Sequence, residues 1–222
     1  AEEKATLAIQ KHSMNVDGKE RNPIMDQAYF LLGKARYYDN RFIPALEAFN
    51  YILYKYPTSE YINKVKIWKE KINIRLNQNK YAIDNLKELL EEENLLIEER
   101  SLANSYLAQA FINIEQIDSA AYFLKKSNQQ FKNIKNNPRN TFLLAQLYQD
   151  LNVKDTASEL YSEIIDLHRK IPRKFYIYSY INKSSISDSI ENSIMELKEL
   201  AINFENNNFC LLYTSPSPRD LL

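Results

Sequence analysis

Apolar residues recur three and four positions apart along almost the whole chain, as in Leu143, Leu144, Leu147 and Leu151. That spacing loads one face of a helix, whereas a strand would need alternation. Read this way, the sequence predicts eleven helices: one over 1–14, then pairs near 24–39/42–56, 59–77/79–95, 98–114/118–135, 138–151/155–171 and 173–184/188–207. The stretch Asn15 to Pro23, which holds Gly18, reads as a loop between the first helix and the pairs. Asp118 and Asp155 precede Ser119-Ala120 and Thr156-Ala157 and are expected as N-caps, their carboxylates accepting from orphan amides of the following turn. The first helix opens with no capping residue before it, so the chain reads as a piece of a longer one.

The helix pairs repeat. A small residue returns in the second helix of each as Ala45, Ala82, Ala120 and Ala157, at intervals of 37, 38 and 37. The first pair adds Tyr29-x-x-Leu32-Gly33, Ala45-x-x-x-Phe49 and a closing Pro57. Small Gly33 and Ala45 allow two helices to approach, Leu32, Phe42, Phe49 and Leu53 fill the space between them, and Pro57 ends the second helix. This pattern resembles the tetratricopeptide (TPR) repeat, with Arg36 where the repeat usually has an aromatic. Trp68 and Ile72 support a degenerate second unit; Leu107, Ala108 and Phe111 support the third, and Leu144, Ala145 and Tyr148 the fourth. The expected class is all-α, a TPR-like α-solenoid of helix hairpins. Its parts are a truncated helix and loop over 1–22, an array of about five helix pairs over 23–209, and a tail over 210–222. The tail, from Cys210 through Tyr213-Thr214-Ser215-Pro216 to Asp220, resembles a translated sequencing adapter and is left out of the fold argument.

Composition narrows the function. The 222 residues are 45% hydrophobic and 26% charged, and 29 basic residues balance 29 acidic ones. A neutral chain lacks the electrostatic drive toward phosphate backbones, so nucleic acid is not expected as a partner. Two glycines, Gly18 and Gly33, leave no glycine-rich loop for a nucleotide phosphate. One cysteine and two distant histidines, His12 and His168, supply no disulfide framework and no zinc spacing. No cofactor and no metal are expected. No run approaches the ~20 apolar residues that cross a bilayer.

The densest acids, Glu91-Glu92-Glu93 and Glu98-Glu99, lie where a helix gives way to a polar turn and read as a solvated surface. His168, with Arg169 and Lys170, suits the negative end of its own helix. No catalytic residue is assigned, and the chain reads as a non-enzyme. By the frame of the TPR repeat, the positions that face a concave groove are Phe30, Lys34, Tyr37 and Tyr38 in the first unit, then Lys64, Lys71 and Arg75. Gln109, Ile112 and Asn113 follow, then Phe142, Gln146 and Gln149. Rigid aromatics beside cations and amides are what a groove for a partner segment offers. The alternative, that Tyr37 and Tyr38 pack against the preceding helix, stays open.

Several segments exceed what a generic repeat needs: Ala8 through Met14, Gly18 through Pro23, Ala28-Tyr29, Gly33 through Asp39, Arg41 through Leu53, and Ile164 through Lys170 with Pro172-Arg173. They resemble the PorW/SprE family, TPR lipoproteins of Bacteroidetes tied to gliding motility and the type IX secretion system, over roughly residues 5–182. The resemblance implies a periplasmic, outer-membrane-associated scaffold with a lipid anchor upstream, binding proteins of the secretion machinery's periplasmic core and of its outer-membrane translocon. A generic TPR peptide-binding adaptor, or the recognition arm of a larger enzyme or regulator, is the alternative, with a cytoplasmic location possible for either.

Overall fold

A computed structural model describes residues 1–130 and 138–203. Its α-helices are α1 (Glu2–His12), α2 (Met25–Tyr38), α3 (Phe42–Lys55), α4 (Ile62–Arg75), α5 (Asn79–Glu91) and α6 (Ile97–Asn113), then α7 (Ile117–Gln130), α8 (Pro138–Asp150), α9 (Lys154–Asp166), α10 (Arg173–Ile186) and α11 (Ile190–Ile202). Each expected helix is present, most with ends trimmed by a few residues, while α10 runs past its expected end at 184 to Ile186. The expected end of α7 near 135, the end of α11 near 207 and the tail 210–222 lie outside the described residues.

The chain divides into two compact units, Ala1–Gln116 and a second that begins at Ile117. Within the first, every helix packs on the next, and α4 also meets α6. Within the second, α7 through α11 follow the same rule, and α8 also meets α10. Neighbour-on-neighbour packing with first helices in contact is the logic of a helix-hairpin repeat.

One device ends the helices α2, α4, α6 and α8. Asn40, Asn77, Glu115 and Asn152 take φ of 57°, 61°, 61° and 60°, the left-handed region. The amides that follow them reach back to the helix: Arg41 N–H to Arg36 O, Gln78 N–H to Asn73 O, Gln116 N–H to Phe111 O and Val153 N–H to Tyr148 O, at 2.8–3.0 Å. This is the Schellman closure, which satisfies carbonyls that the helix leaves without donors. Asparagine tolerates that conformation and glutamate does not share its local hydrogen bonding. Glu115→Gly is therefore expected to raise stability by about 0.5–1 kcal/mol, strain relief exceeding the entropy cost of glycine. A thermal melt of the variant below that of the parent would contradict this.

The alanines do what their period implies: Ala45, Ala82, Ala120 and Ala157 are all fully buried. In the first unit Phe49, Ile52, Val65 and Ile72 surround the first of them, with Phe30 and Trp68 closing the cluster. In the second unit Tyr161, fully buried, donates its hydroxyl to Gln149 Oε1 at 2.9 Å and accepts from Asn182 Nδ2 at 3.3 Å. Burial pushes the pKa of this phenol well up, with Asp150 adding to the rise and Asn182 opposing it. The predicted caps are corrected. Asp118 and Asp155 sit inside the first turns of α7 and α9, and Val153 takes the N-cap place of α9. There they act on the helix dipole through charge.

Residues 15–23 are more ordered than a loop. Asn15–Val16 (β1) and Lys19–Glu20 (β2) pair antiparallel, Asn15 opposite Glu20. Asp17 and Gly18 turn the chain with φ of 51° and 75°. Both positive, these are the angles that an Asp-Gly hairpin turn requires. The Glu20 carboxylate accepts from Ser13 Oγ (2.5 Å) and from the amides of Met14 (2.7 Å) and Asn22 (2.9 Å). Burial works to raise its pKa, but these hydrogen bonds outweigh it and hold the group below its ordinary value. Lys55 Nζ ties the turn to α3 through Gly18 O. Arg36, the departure from the repeat pattern, bonds Glu2 (3.1 Å) and Pro44 O (2.9 Å), so it joins α1 and the start of α3 to α2.

Candidate partner-binding site

The helix α4 carries Lys64, Lys66, Lys69, Lys71 and Arg75 against a single acid, Glu70. That acid is buried and accepts from Asn73 Nδ2 at 2.9 Å and Asn85 Nδ2 at 3.0 Å. Burial pushes its carboxyl above the ordinary range, against the pull of the two amides and Lys69. Lys66 pairs with Glu92 on the α5 side at 2.6 Å. On the side of the first helices, Lys34 and Lys71 hold the same place before the left-handed Asn40 and Asn77 that end α2 and α4, and Gln109 holds it before Glu115 in α6. Lys34 and Lys71 meet around Trp68, and Tyr106 lies beside Lys71. Its ring lies edge-on to Tyr37 at 5.4 Å and to Tyr38 at 5.9 Å. Lys71 Nζ sits 4.1 Å from the Trp68 ring centre, 4.4 Å from that of Tyr37, 5.3 Å from Tyr106 and 5.5 Å from Tyr38. Lys34 Nζ lies 5.2 Å from the same indole and 5.6 Å from Phe30. Ring faces attract ammonium groups by about 0.5–2 kcal/mol each, so the lysine stems are held in place and not free to sweep.

Tyr38 is 69% exposed, whereas Tyr37 is half-buried between Trp68 and Phe42. The two readings of the tyrosine pair therefore apply one to each: Tyr37 packs, Tyr38 faces outward. Phe30, expected at the groove, is 7% exposed and belongs to the core beside Phe49 and Tyr61. Lys64 Nζ rests 5.4 Å over Tyr61, and Arg75 covers Phe42 at 5.9 Å. Burial first, then the charges of Glu60 and Asp26, raise the pKa of the Tyr61 phenol. Gln109 Nε2 donates to Asn113 Oδ1 (3.1 Å), and Asn113 Nδ2 donates to Asn79 (2.9 Å), an amide chain from α6 to α5.

In the second unit Phe142 is core, 8% exposed, with Tyr161 and Phe175 at 5.8 Å. Gln146 and Gln149 are half-buried, and Gln149 is engaged by Tyr161 and Ser185. The site reading thus gathers Lys34, Tyr37, Tyr38 and Lys71 in one place and spends Phe30 and Phe142 on packing. Trp68 and Tyr106 were not among the expected groove residues. The i, i+3 spacing of Trp68 and Lys71 was the signal for the first, and the sequence holds no comparable signal for Tyr106.

The acidic cluster resolves into structure. Glu99 is buried, taking the Leu96 amide at 3.2 Å at the start of α6, while Glu91, Glu93 and Glu98 are exposed. The solvated-surface reading therefore holds for those three and fails for Glu99, which closes a helix end. His168 follows α9 in a short 3₁₀ turn (His168–Lys170) with φ 48° and stacks on Tyr176 at 4.8 Å. Among the described residues no acidic, histidine or cysteine cluster could hold a metal ion, and no helix is long and apolar enough to cross a membrane.

No protein-family model matches the chain, and no curated protein matches it in sequence. Solved structures match its fold. MamA aligns with a TM-score of 0.61 at 16% identity, over 84% of this chain and 96% of that one. PilF of Pseudomonas aeruginosa aligns at 0.62 and 14%, over 83% and 80%. A TPR protein of Thermus thermophilus aligns at 0.52 and 15%, over 82% and 93%. At such identities the likeness is one of fold: an all-α, TPR-like array of helix hairpins.

Proposed function

We propose that this chain is a non-catalytic protein-binding scaffold whose first unit takes a partner segment on the face shared by α2, α4 and α6. The observation that carries this reading is the Trp68 cluster: an exposed tyrosine beside half-buried lysines that rings hold in place. Rigid aromatic and cationic groups of this kind anchor protein interfaces, because they supply area and charge at low ordering cost. The TPR-like fold supports the same reading, since stacked hairpins present their first helices as a continuous recognition surface. The sequence resemblance to the PorW/SprE family supports a finer one. In it the scaffold works in the periplasm, attached to the outer membrane through an upstream lipid anchor, and binds envelope proteins of type IX secretion and gliding motility.

Affinity capture from a Bacteroidetes envelope extract tests both levels. The parent chain is expected to enrich core or translocon proteins of the secretion system, and Tyr38→Ala to enrich them several-fold less. Tyr81→Ala, at another exposed tyrosine on α5, is expected to capture like the parent. Equal capture by the Tyr38 variant would remove the site, and enrichment of unrelated proteins would remove the secretion assignment.

A further inference from the structure

We propose that a cleft between α3 and α5, floored by α4, takes an arginine side chain of a protein partner and pairs it with Glu70. This site is separate from the Trp68 face. Lys66, Glu70 and Asn73 follow at i, i+4 and i+7 on the side of α4 away from Lys64, Trp68, Lys71 and Arg75. The repeat itself marks the position. Seven places before the left-handed Asn40, Asn77, Glu115 and Asn152 stand Gly33, Glu70, Ala108 and Ala145, all of them buried. Three are small, as a close helix contact requires, and the fourth is a carboxylate only 5% exposed. Packing asks only for another alanine there.

Glu70 Oε2 accepts from Asn73 Nδ2 at 2.9 Å and Oε1 from Asn85 Nδ2 at 3.0 Å, so each oxygen keeps a lone pair. Both donors are neutral. Lys66, one turn before Glu70, is bonded to Glu92 at 2.6 Å, and Lys69, beside it in sequence, acts on it through charge alone. The cleft that Glu70 lines has a volume of about 240 Å³, and Leu53, Glu88 and Leu89 complete its walls with these groups. Its three acids, Glu70, Glu88 and Glu92, face two bases, Lys66 and Lys69, and the acid left over is the buried one. A space below the ~300–1,000 Å³ of a pocket for a drug-sized ligand suits a single side chain. The aliphatic stem of an arginine can lie on Leu53 and Leu89 while its planar fork gives one N–H to each Glu70 oxygen. A buried carboxylate without a counter-charge is costly, and the guanidinium supplies that charge together with two hydrogen bonds.

The probe is Nα-acetyl-L-arginine amide, compared with Nα-acetyl-L-citrulline amide, which has the same shape and no charge. Each is titrated into the full chain while the side-chain amide resonances of Asn73 and Asn85 are followed by heteronuclear NMR. The arginine probe is expected to shift both amides and to bind about tenfold tighter than the citrulline probe. Glu70→Ala, which restores the small residue of the other units, is expected to lose that preference. Glu70→Gln, which keeps the volume without the charge, is expected to lose it too and guards against a folding artefact. Glu88→Gln at the rim is expected to keep it, as is Tyr38→Ala, which belongs to the Trp68 face. Equal binding of the two probes would overturn the proposal, as would a preference that survives both Glu70 variants, shifts centred on the Trp68 indole, or no shift from either probe.

Discussion

Gly33→Leu is expected to unfold the first hairpin, at a cost of about 3 kcal/mol or more. A Cβ on Gly33 would stand 2.5 Å from Phe49 Cε1 and 2.8 Å from Cδ1 and Cζ, closer than carbon atoms approach. Phe49 cannot retreat, since it is fully buried among Phe30, Ala45, Ile52 and Trp68. Gly33→Ala separates two opposed effects. Alanine favours the helix by about 1 kcal/mol over glycine, while the overpacking costs about 1–3 kcal/mol. With contact this close the steric term is the larger, and a net loss of about 1–2 kcal/mol is expected. Urea midpoints read by far-UV circular dichroism decide it. An alanine variant as stable as the parent would mean that the Phe49 ring is not seated on the α2 backbone.

Trp68→Ala is expected to be equally damaging, by about 3–5 kcal/mol, because it empties the ring-lined space that closes the first unit's core. Phe30 and Phe49 meet the indole at 6.3 Å, and Tyr37 and Tyr38 meet it at 5.4 and 5.9 Å. The same ring supports Lys34 and Lys71, so the substitution releases both cations together with the core. Trp68→Phe keeps most of the volume and is expected to lose less than half as much. Stability of the alanine variant within about 1 kcal/mol of the parent would show that this tryptophan is peripheral.

Both substitutions fall at positions that the sequence marks to different degrees. Gly33 stands in a repeat signature with Leu32, Ala45 and Phe49, and the physics behind the signature is the close approach of the Phe49 ring to α2. The four alanines at intervals near 37 were legible for the same reason, since a buried small residue per hairpin is the condition for stacking. The left-handed Asn40, Asn77 and Asn152 share that period and were equally readable. Glu115 hides the fourth, because nothing about glutamate signals a positive φ. The hairpin at Asp17-Gly18 was missed although Asp-Gly is a strong turn signal, because its strands are only two residues long and no alternation could register.

The site was legible in its parts. Spacing alone places Lys34, Tyr38 and Lys71 on first helices, but it cannot separate a groove-facing aromatic from one turned into the core. Phe30 and Tyr38 are two turns apart on α2, and only the neighbouring Phe49, Tyr61 and Trp68 decide that the first is buried. Trp68 was read as support for a degenerate unit, and it is support. Its second role appears only when α2, α4 and α6 are laid side by side.

Photo-crosslinking from position 38 tests the central claim most directly, with a photoreactive phenylalanine in place of Tyr38 in the full chain and, in parallel, in place of Tyr81. Incubated with a Bacteroidetes envelope extract, the probe at position 38 is expected to give discrete adducts with envelope proteins that an excess of unlabelled parent chain removes. The probe at position 81 is expected to give none of them. The same adducts from both positions, or none from position 38, would contradict a docking face on α2, α4 and α6.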